Sequence, residues 1–202
     1  MAGIIPNLFL SNAAWAAAVG SADPDFFKQS AQGQSPRILW LGCSDSRVPE
    51  SVITASRPGD IFTHRNIANQ VHPDDDNVIS VITFAVAALG VEHILVVGHT
   101  ACGGAMACLD AARGGELPPG PLGRWLTPLA NLTRTLDLEG LPYPEALTKV
   151  VEASVVAQVK SLVETEPVQT AWKKRDLWVH GLVYELETGH LRDLGITRGP
   201  RA

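Results

Sequence analysis

The stretch RILWLGCSDSRVPE, residues 37–50, decides the fold. Its first half is a continuous apolar run that ends in Gly42 and Cys43, the pattern of a strand buried on both faces. Its second half places a thiol, a carboxylate and a guanidinium within five residues of the strand's end. A second run of the same kind, HILVVGH at 93–99, also ends on a residue with chemistry, His99. Between them, GDIFTHRN at 59–66 contains a further strand, and DDDNVISVITFAVAALG at 74–90 reads as a helix capped by Asp76 or Asn77 and ended by Gly90. That helix is apolar nearly all round and is expected to be central. CGGAMACLDAARGG at 102–115 is a glycine-rich turn entering a helix.

The order strand, strand, helix, strand, helix predicts an α/β domain with a mostly parallel sheet flanked by helices. Active residues are expected at the carboxyl ends of its strands. Farther along, GGELPPGPLG is a loop, and RWLTPLANLTRTL resumes a helix. The longest helix spans 144–166, with Pro144 in its first turn, Pro167 at its end, and Leu147, Val151, Val155, Gln158 and Leu162 at helical spacing. DLWVHGLVYELETGHLRDLGI at 176–196 alternates, turns and alternates again, a C-terminal hairpin that extends the sheet.

The chain of 202 residues fits a single domain. A formal net charge of −5 disfavours nucleic acid or an anionic membrane as the main partner. The basic cluster KKR at 173–175 reads as a solvated face. No apolar run reaches the roughly 18 to 20 residues of a membrane span. The apolar N-terminus lacks the charged start of a secretory signal and the arginines of a transit peptide, so the expectation is cytoplasmic. SNAAWAAAV reads as a short helix capped by Ser11 or Asn12, part of a helical arm over residues 1–30. Three cysteines, Cys43, Cys102 and Cys108, argue for reduced thiols over a disulfide framework.

Cys43, His99 and Cys102 make a Cys₂His set, the catalytic zinc pattern with a fourth position open. Adjacent parallel strands would bring the two loops together. From spacing alone, buried cysteines and a satisfied histidine remain the alternative, since H-x-x-C is common. Asp45 and Arg47 are two apart, so on an extended segment they share a face, and an arginine can grip a carboxylate with both arms of its fork. A structural ion pair is the alternative reading. Cys108 reads as a buried small apolar residue. His64, His72, His93, His180 and His190 read as structural or exposed, with His64 and His72 as candidates for proton export. Ser44 and Ser46 have no base partner.

CSDSRVPE, HRNIAN and GHTACGG together resemble the β-class carbonic anhydrases, most closely fungal and bacterial members, over nearly the whole chain. The resemblance implies one zinc ion held by Cys43, His99 and Cys102, with Asp45 and Arg47 as a catalytic dyad. Asp45 is also a possible fourth zinc ligand in a closed state. The implied reaction is reversible hydration of carbon dioxide to bicarbonate and a proton. The implied substrate pocket is narrow, apolar and close to a dimer interface, and includes Gln34, Phe62, Ile67, Phe84 and the backbone of Gly103. Trp40, Arg65 and Tyr184 match a regulatory bicarbonate site, although Trp40 and Tyr184 also read as core aromatics and Arg65 as an ion-pair partner. The implied assembly is a homodimer or a tetramer made of two dimers, with the N-terminal arm packing on a partner subunit. Two departures from the family's habit, Ser154 and Leu182, fall outside the zinc and dyad positions. The same zinc motif also fits hydrolysis of carbon disulfide or carbonyl sulfide. A non-catalytic zinc- or bicarbonate-binding sensor is the reading from another class.

Overall fold

Isoleucine, leucine and tryptophan between Arg37 and Cys43 form β1 (Ile38–Cys43), the second strand of a five-stranded sheet. β2 (Ile61–Asn66) and β3 (His93–His99) flank it in parallel, β4 (Trp178–Glu185) runs parallel to β3, and β5 (His190–Arg198) closes the far edge antiparallel to β4. The order is β2-β1-β3-β4-β5. The expected mostly parallel sheet with a C-terminal hairpin is therefore what the chain builds. The structure is a computed structural model in which residues 3–200 are described.

The described residues fall into two units, Met1–Ser35 and Pro36–Ala202. The first holds α1 (Ile4–Ala22) and α2 (Phe26–Ser30). Ser11 and Asn12 lie inside α1 rather than capping it. Pro6 falls in the first turn, where a missing N–H costs no intrahelical bond, so the helix starts at Ile4. α1 buries no residue, and Phe9 and Leu10 are largely exposed. No described helix is long and apolar enough to cross a membrane.

In the second unit, α3 (Glu50–Ile53) follows β1, and α4 (Asp76–Thr83) runs on as a π-helical segment to Leu89. The cap of α4 is Asp75, one residue before the expected position: its carboxylate accepts the Asn77 N–H at 3.0 Å. Gly90 ends the segment in the left-handed conformation, as predicted. The helix is not central. Val78, Ile82, Ala85 and Val86 are buried, but Phe84, Ala87 and Ala88 face outward. α5 (Gly103–Ala112), α6 (Pro121–Arg134), α7 (Tyr143–Val163) and α8 (Glu166–Trp172) complete the unit. Pro167 sits in the first turn of α8, so the longest helix ends at Val163 through its own cap and not at the proline. Arg175 is not part of a solvated face. Its guanidinium donates to the carbonyls of Val86 (2.8 Å) and Val91 (2.7 Å), tying down the end of the π-helical segment.

The main apolar cluster lies on one side of the sheet. Leu39, Leu41, Ile94, Val96, Val179 and Val183 project into it and meet Val150, Val151, Val155 and Val159 of α7. Gly98 and Gly181 let α7 lie close, because a Cβ on either would stand under 3.0 Å from Val155. Close packing of α7 on β3 and β4 holds the carboxyl end of β3 in place, and that end carries the site.

Candidate metal centre

Cys43 is the last residue of β1 and His99 the last of β3, and the two strands are direct parallel neighbours. Beyond His99 the chain turns through Ala101, a non-glycine residue at φ 52°, and presents Cys102 at the start of α5. The sulfurs of Cys43 and Cys102 and a ring nitrogen of His99 all lie within 4.8 Å of one another, and all three residues are buried. Among the described residues this is the one group of three or more cysteine, histidine or acidic side chains spaced to hold a metal ion.

The donor set suits a metal on independent grounds. His99 Nδ1 donates to the Thr100 carbonyl at 2.8 Å, which fixes the tautomer and leaves Nε2 with its lone pair free. That Nε2 is fully buried and has no hydrogen-bond partner, a costly state for a polar atom unless a ligand completes it. Backbone N–H groups of Asp45 and Ala68 act to lower the Cys43 pKa, and those of Ala105 and Gly104 act in the same direction on Cys102. The Cys102 thiol hydrogen-bonds Cys43, which lowers the Cys43 pKa against the opposing effect of burial. The proton shared by the pair stays on Cys102, whose pKa is raised. The lowered Cys43 pKa favours its thiolate, the form that binds metal.

Asp45 and Arg47 form the expected fork. Arg47 Nε donates to Asp45 Oδ1 at 2.9 Å and Nη2 to Oδ2 at 2.7 Å. The segment is not extended: the Arg47 backbone N–H also donates to Oδ1 at 2.9 Å, so the carboxylate closes a turn on its own chain. Arg47 is anchored in turn by the Ala101 carbonyl at 3.2 Å. The Arg47 hydrogen bonds hold the Asp45 carboxyl well below the usual carboxylate range. Asp45 Oδ2 lies 3.9 Å from His99 Nε2, at the open side of the cluster.

The remaining expected residues are distributed unevenly. Ile67 is 41% exposed and borders the start of α5, where a Cβ on Gly104 would meet its side chain at 3.2 Å. Gly103 is exposed beside Cys102. Phe62 and Phe84 stack on each other with ring centroids 5.8 Å apart. They stand elsewhere, however, because Phe62 pairs with Leu39, four residues before the level of Cys43, or about 13 Å back along the strand. Gln34 is exposed within the first unit. Trp40 is fully buried with Nε1 unpartnered, and its indole fills the space over Gly42, the register neighbour of Arg65. Tyr184 pairs with His99 across β3 and β4.

Two features lay outside the sequence reading. Arg65 donates to the carbonyls of Cys43 (2.8 Å) and Asp45, so it clamps the loop between ligand and dyad. Thr100 is tied to the β4–β5 turn: its hydroxyl donates to Glu187 at 2.8 Å and accepts the Leu186 N–H at 2.9 Å. Both depend on contacts between residues far apart in sequence, and no local pattern announces them.

The family model for carbonic anhydrase matches residues 38–191. A carbonic anhydrase of Emericella nidulans is 40% identical over 194 residues, covering 94% of this chain and 83% of that protein. One of Saccharomyces cerevisiae is 31% identical, covering 93% and 87%. Among solved structures, a tetrameric β-carbonic anhydrase of Sordaria macrospora superposes with a TM-score of 0.90 at 39% identity, covering 95% of this chain and 97% of that one. Sequence, fold and site thus converge, and the chain belongs to the β-carbonic anhydrase family, as a carbonate dehydratase.

Proposed function

We propose that the chain binds one zinc ion through Cys43, His99 and Cys102 and catalyses the reversible hydration of carbon dioxide to bicarbonate and a proton. The observation that carries this reading is the buried, unpartnered Nε2 of His99 beside the sulfurs of Cys43 and Cys102, all within 4.8 Å of one another. A zinc ion in such a site supplies Lewis acidity that brings the pKa of a water from 15.7 down to about 7.

The chain's own residues do the rest. Asp45 stays ionised and is therefore only an acceptor. Arg47 takes three of its acceptor sites, leaving Oδ2 able to orient a hydrogen-bond donor at the cluster. Arg47 also restrains Asp45 from becoming a fourth ligand itself. Ile67 and the Gly103 backbone offer a small, partly apolar wall suited to a linear apolar substrate. The exposed apolar side chains of α1, together with Phe84, support a homodimer or tetramer in which the arm packs on a partner. Phe62, Phe84 and Gln34 of one subunit would then complete the pocket of another. The unpartnered Trp40 Nε1 on the sheet face that also carries Arg65 supports a regulatory bicarbonate site with Tyr184. A cytoplasmic location belongs to the same proposal.

The test is stopped-flow carbon dioxide hydration on protein of measured zinc content, from about pH 6.5 to 9, with and without bicarbonate. The expected result is one zinc per chain and rapid hydration. Inhibition by bicarbonate that disappears in W40F supports the regulatory site. Zinc-loaded protein that leaves carbon dioxide untouched and hydrolyses carbon disulfide overturns the proposed reaction.

A further inference from the structure

Between β2 and α4 the chain passes through Ala68 and Asn69, two consecutive non-glycine residues at φ 60° and 47°. Left-handed backbone of this kind is strained, and it persists where the surroundings over-determine it. The surroundings here are a buried amide network. Asn66 brackets Gln70, its Oδ1 accepting the Gln70 N–H at 2.7 Å and its Nδ2 donating to the Gln70 carbonyl at 2.8 Å. Gln70 Nε2 donates to the Ala68 carbonyl at 2.6 Å and to Ser154 Oγ at 3.1 Å. From α7, Gln158 Nε2 donates to Gln70 Oε1 at 3.2 Å, and Gln158 Oε1 accepts the Val71 N–H at 2.7 Å. Gln70, Ser154 and Gln158 are only 1%, 4% and 7% exposed.

The turn these bonds hold is a wall of the metal centre. The Ala68 methyl lies against the start of α5, where a Cβ on Gly104 would come within 2.9 Å of it. At the level of Cys43, the Ser44 N–H donates to the Asn66 carbonyl at 2.9 Å. The turn therefore touches both the strand end that carries Cys43 and the helix start that carries Cys102. Packing does not call for amides here. Gln158 stands in the stripe of Val151, Val155 and Leu162, where an apolar side chain would fill the same space without a polar atom to satisfy.

We propose that Gln70, Ser154 and Gln158 are positioning residues for the metal centre: by locking the Ala68–Asn69 turn they hold the wall between the Cys43 strand end and the Cys102 helix start, and so set the spacing between the two sulfur ligands. This rests on the zinc reading above. It makes α7, which contributes no ligand, a determinant of metal affinity.

The experiment measures zinc dissociation constants by chelator competition, and the visible absorption of cobalt-substituted protein, for wild type, Q70M, Q158M and V159A. Val159 is a buried neighbour of Gln158 on α7 that faces β4, so V159A reports loss of packing alone. Q70M and Q158M are expected to weaken zinc binding by about 10- to 100-fold, the usual effect of removing an outer support of a ligand, and to shift the cobalt spectrum. V159A should lower the thermal midpoint while affinity and spectrum stay at wild type. Should Q70M fail to fold, Q158M alone decides. A Q158M protein with a lowered thermal midpoint but wild-type zinc affinity and cobalt spectrum overturns the positioning role. A wild type that takes up no zinc overturns the zinc reading and this inference together, whereas a wild type that binds zinc and hydrates carbon dioxide separates the two.

Discussion

β3 carries a histidine at each end, and the two ends are built for different work. At the amino end, His93 is half-buried and its Nδ1 lies 3.1 Å from His180 Nε2, while His180 Nδ1 lies 3.1 Å from the Thr197 hydroxyl. That chain of hydrogen bonds is satisfied by neighbours on the sheet. At the carboxyl end, His99 is fully buried, spends Nδ1 on a carbonyl and leaves Nε2 without a partner among two sulfurs. The cysteines repeat the contrast. Cys108, inside α5, is as buried as Cys43 and Cys102, but its thiol donates to the Leu126 carbonyl at 3.7 Å, and burial pushes it up to about 12. Burial by itself makes a thiol inert. Cys43 and Cys102 are buried as well, but they stand within 4.8 Å of each other and of His99, a set that could hold a metal.

The sharpest way to break this comparison is to truncate each histidine. On the proposed zinc reading, H99A should lose zinc affinity by about 100-fold or more, since one of three protein ligands is removed, and hydration activity should fall with it. H93A should keep both. Chelator competition and metal analysis on the two purified variants decide it. Equal losses would mean that the amino end of β3 supports the site through the strand.

A smaller effect is expected from the dyad. D45N keeps the three ligands, so zinc stays bound. An amide has one acceptor oxygen where the carboxylate has two, so it cannot take both arms of the Arg47 fork and still offer an acceptor at the cluster. Activity should drop by about 10²- to 10⁴-fold, the range for a positioned proton-handling group, with zinc stoichiometry unchanged. Retained activity would reduce Asp45–Arg47 to the structural ion pair that was the alternative reading.

How much of this was legible before the structure differs between the sheet and its surroundings. β1 and β3 announce themselves because strands buried on both faces read as continuous apolar runs, and the catalytic types at their ends stand out for the same reason. The hairpin of β4 and β5 shows in its alternation. The exposed side of the α4 segment did not show, because an all-apolar helix reads as central and nothing local says that Phe84, Ala87 and Ala88 point outward. Arg175 looked like one of three solvated charges. Its two carbonyl partners, Val86 and Val91, are more than eighty residues away in sequence. Phe62 was grouped with the site by resemblance, and only the strand register shows it about 13 Å from the level of Cys43. Gln158 did leave a signal: an amide in an otherwise apolar heptad stripe asks for a buried partner, and Gln70 is that partner.

The cysteine half of the comparison can be sharpened with alkali. An acid whose folded pKa is raised costs nothing below its unfolded value. As pH climbs past about 9, the unfolded chain releases the Cys108 proton and the folded one does not until about 12. Stability should therefore fall in that window by up to ~1.4 kcal/mol per pH unit, or about 4 kcal/mol at its end. C108A removes the effect while leaving zinc affinity alone. Urea midpoints of the zinc-loaded proteins at about pH 8 and 10.5 should converge in C108A relative to wild type. An identical alkaline loss in both proteins would show that Cys108 titrates as an ordinary thiol.

The smallest effect lies at the amino end of β3. Burial holds the His180 pKa below the ordinary histidine value, the neighbouring His93 adds to this, and Asp193 pulls the other way. For a base held low in the folded state the sign is the reverse of the usual gain. Its cost is absent above the unfolded value of about 6.5 and appears as pH falls below it, because the unfolded chain takes up a proton that the folded one refuses. H180Q keeps a hydrogen-bonding side chain beside Thr197 and cannot titrate, so it should resist acid better than wild type. His64 and His72, also held low by burial, contribute a slope common to both proteins. Thermal midpoints from about pH 7.5 down to 5 should thus diverge below about 6.5 in favour of H180Q. Parallel curves would mean that the satisfied end of the strand carries no proton linkage, and that its imidazole pair is held by packing alone.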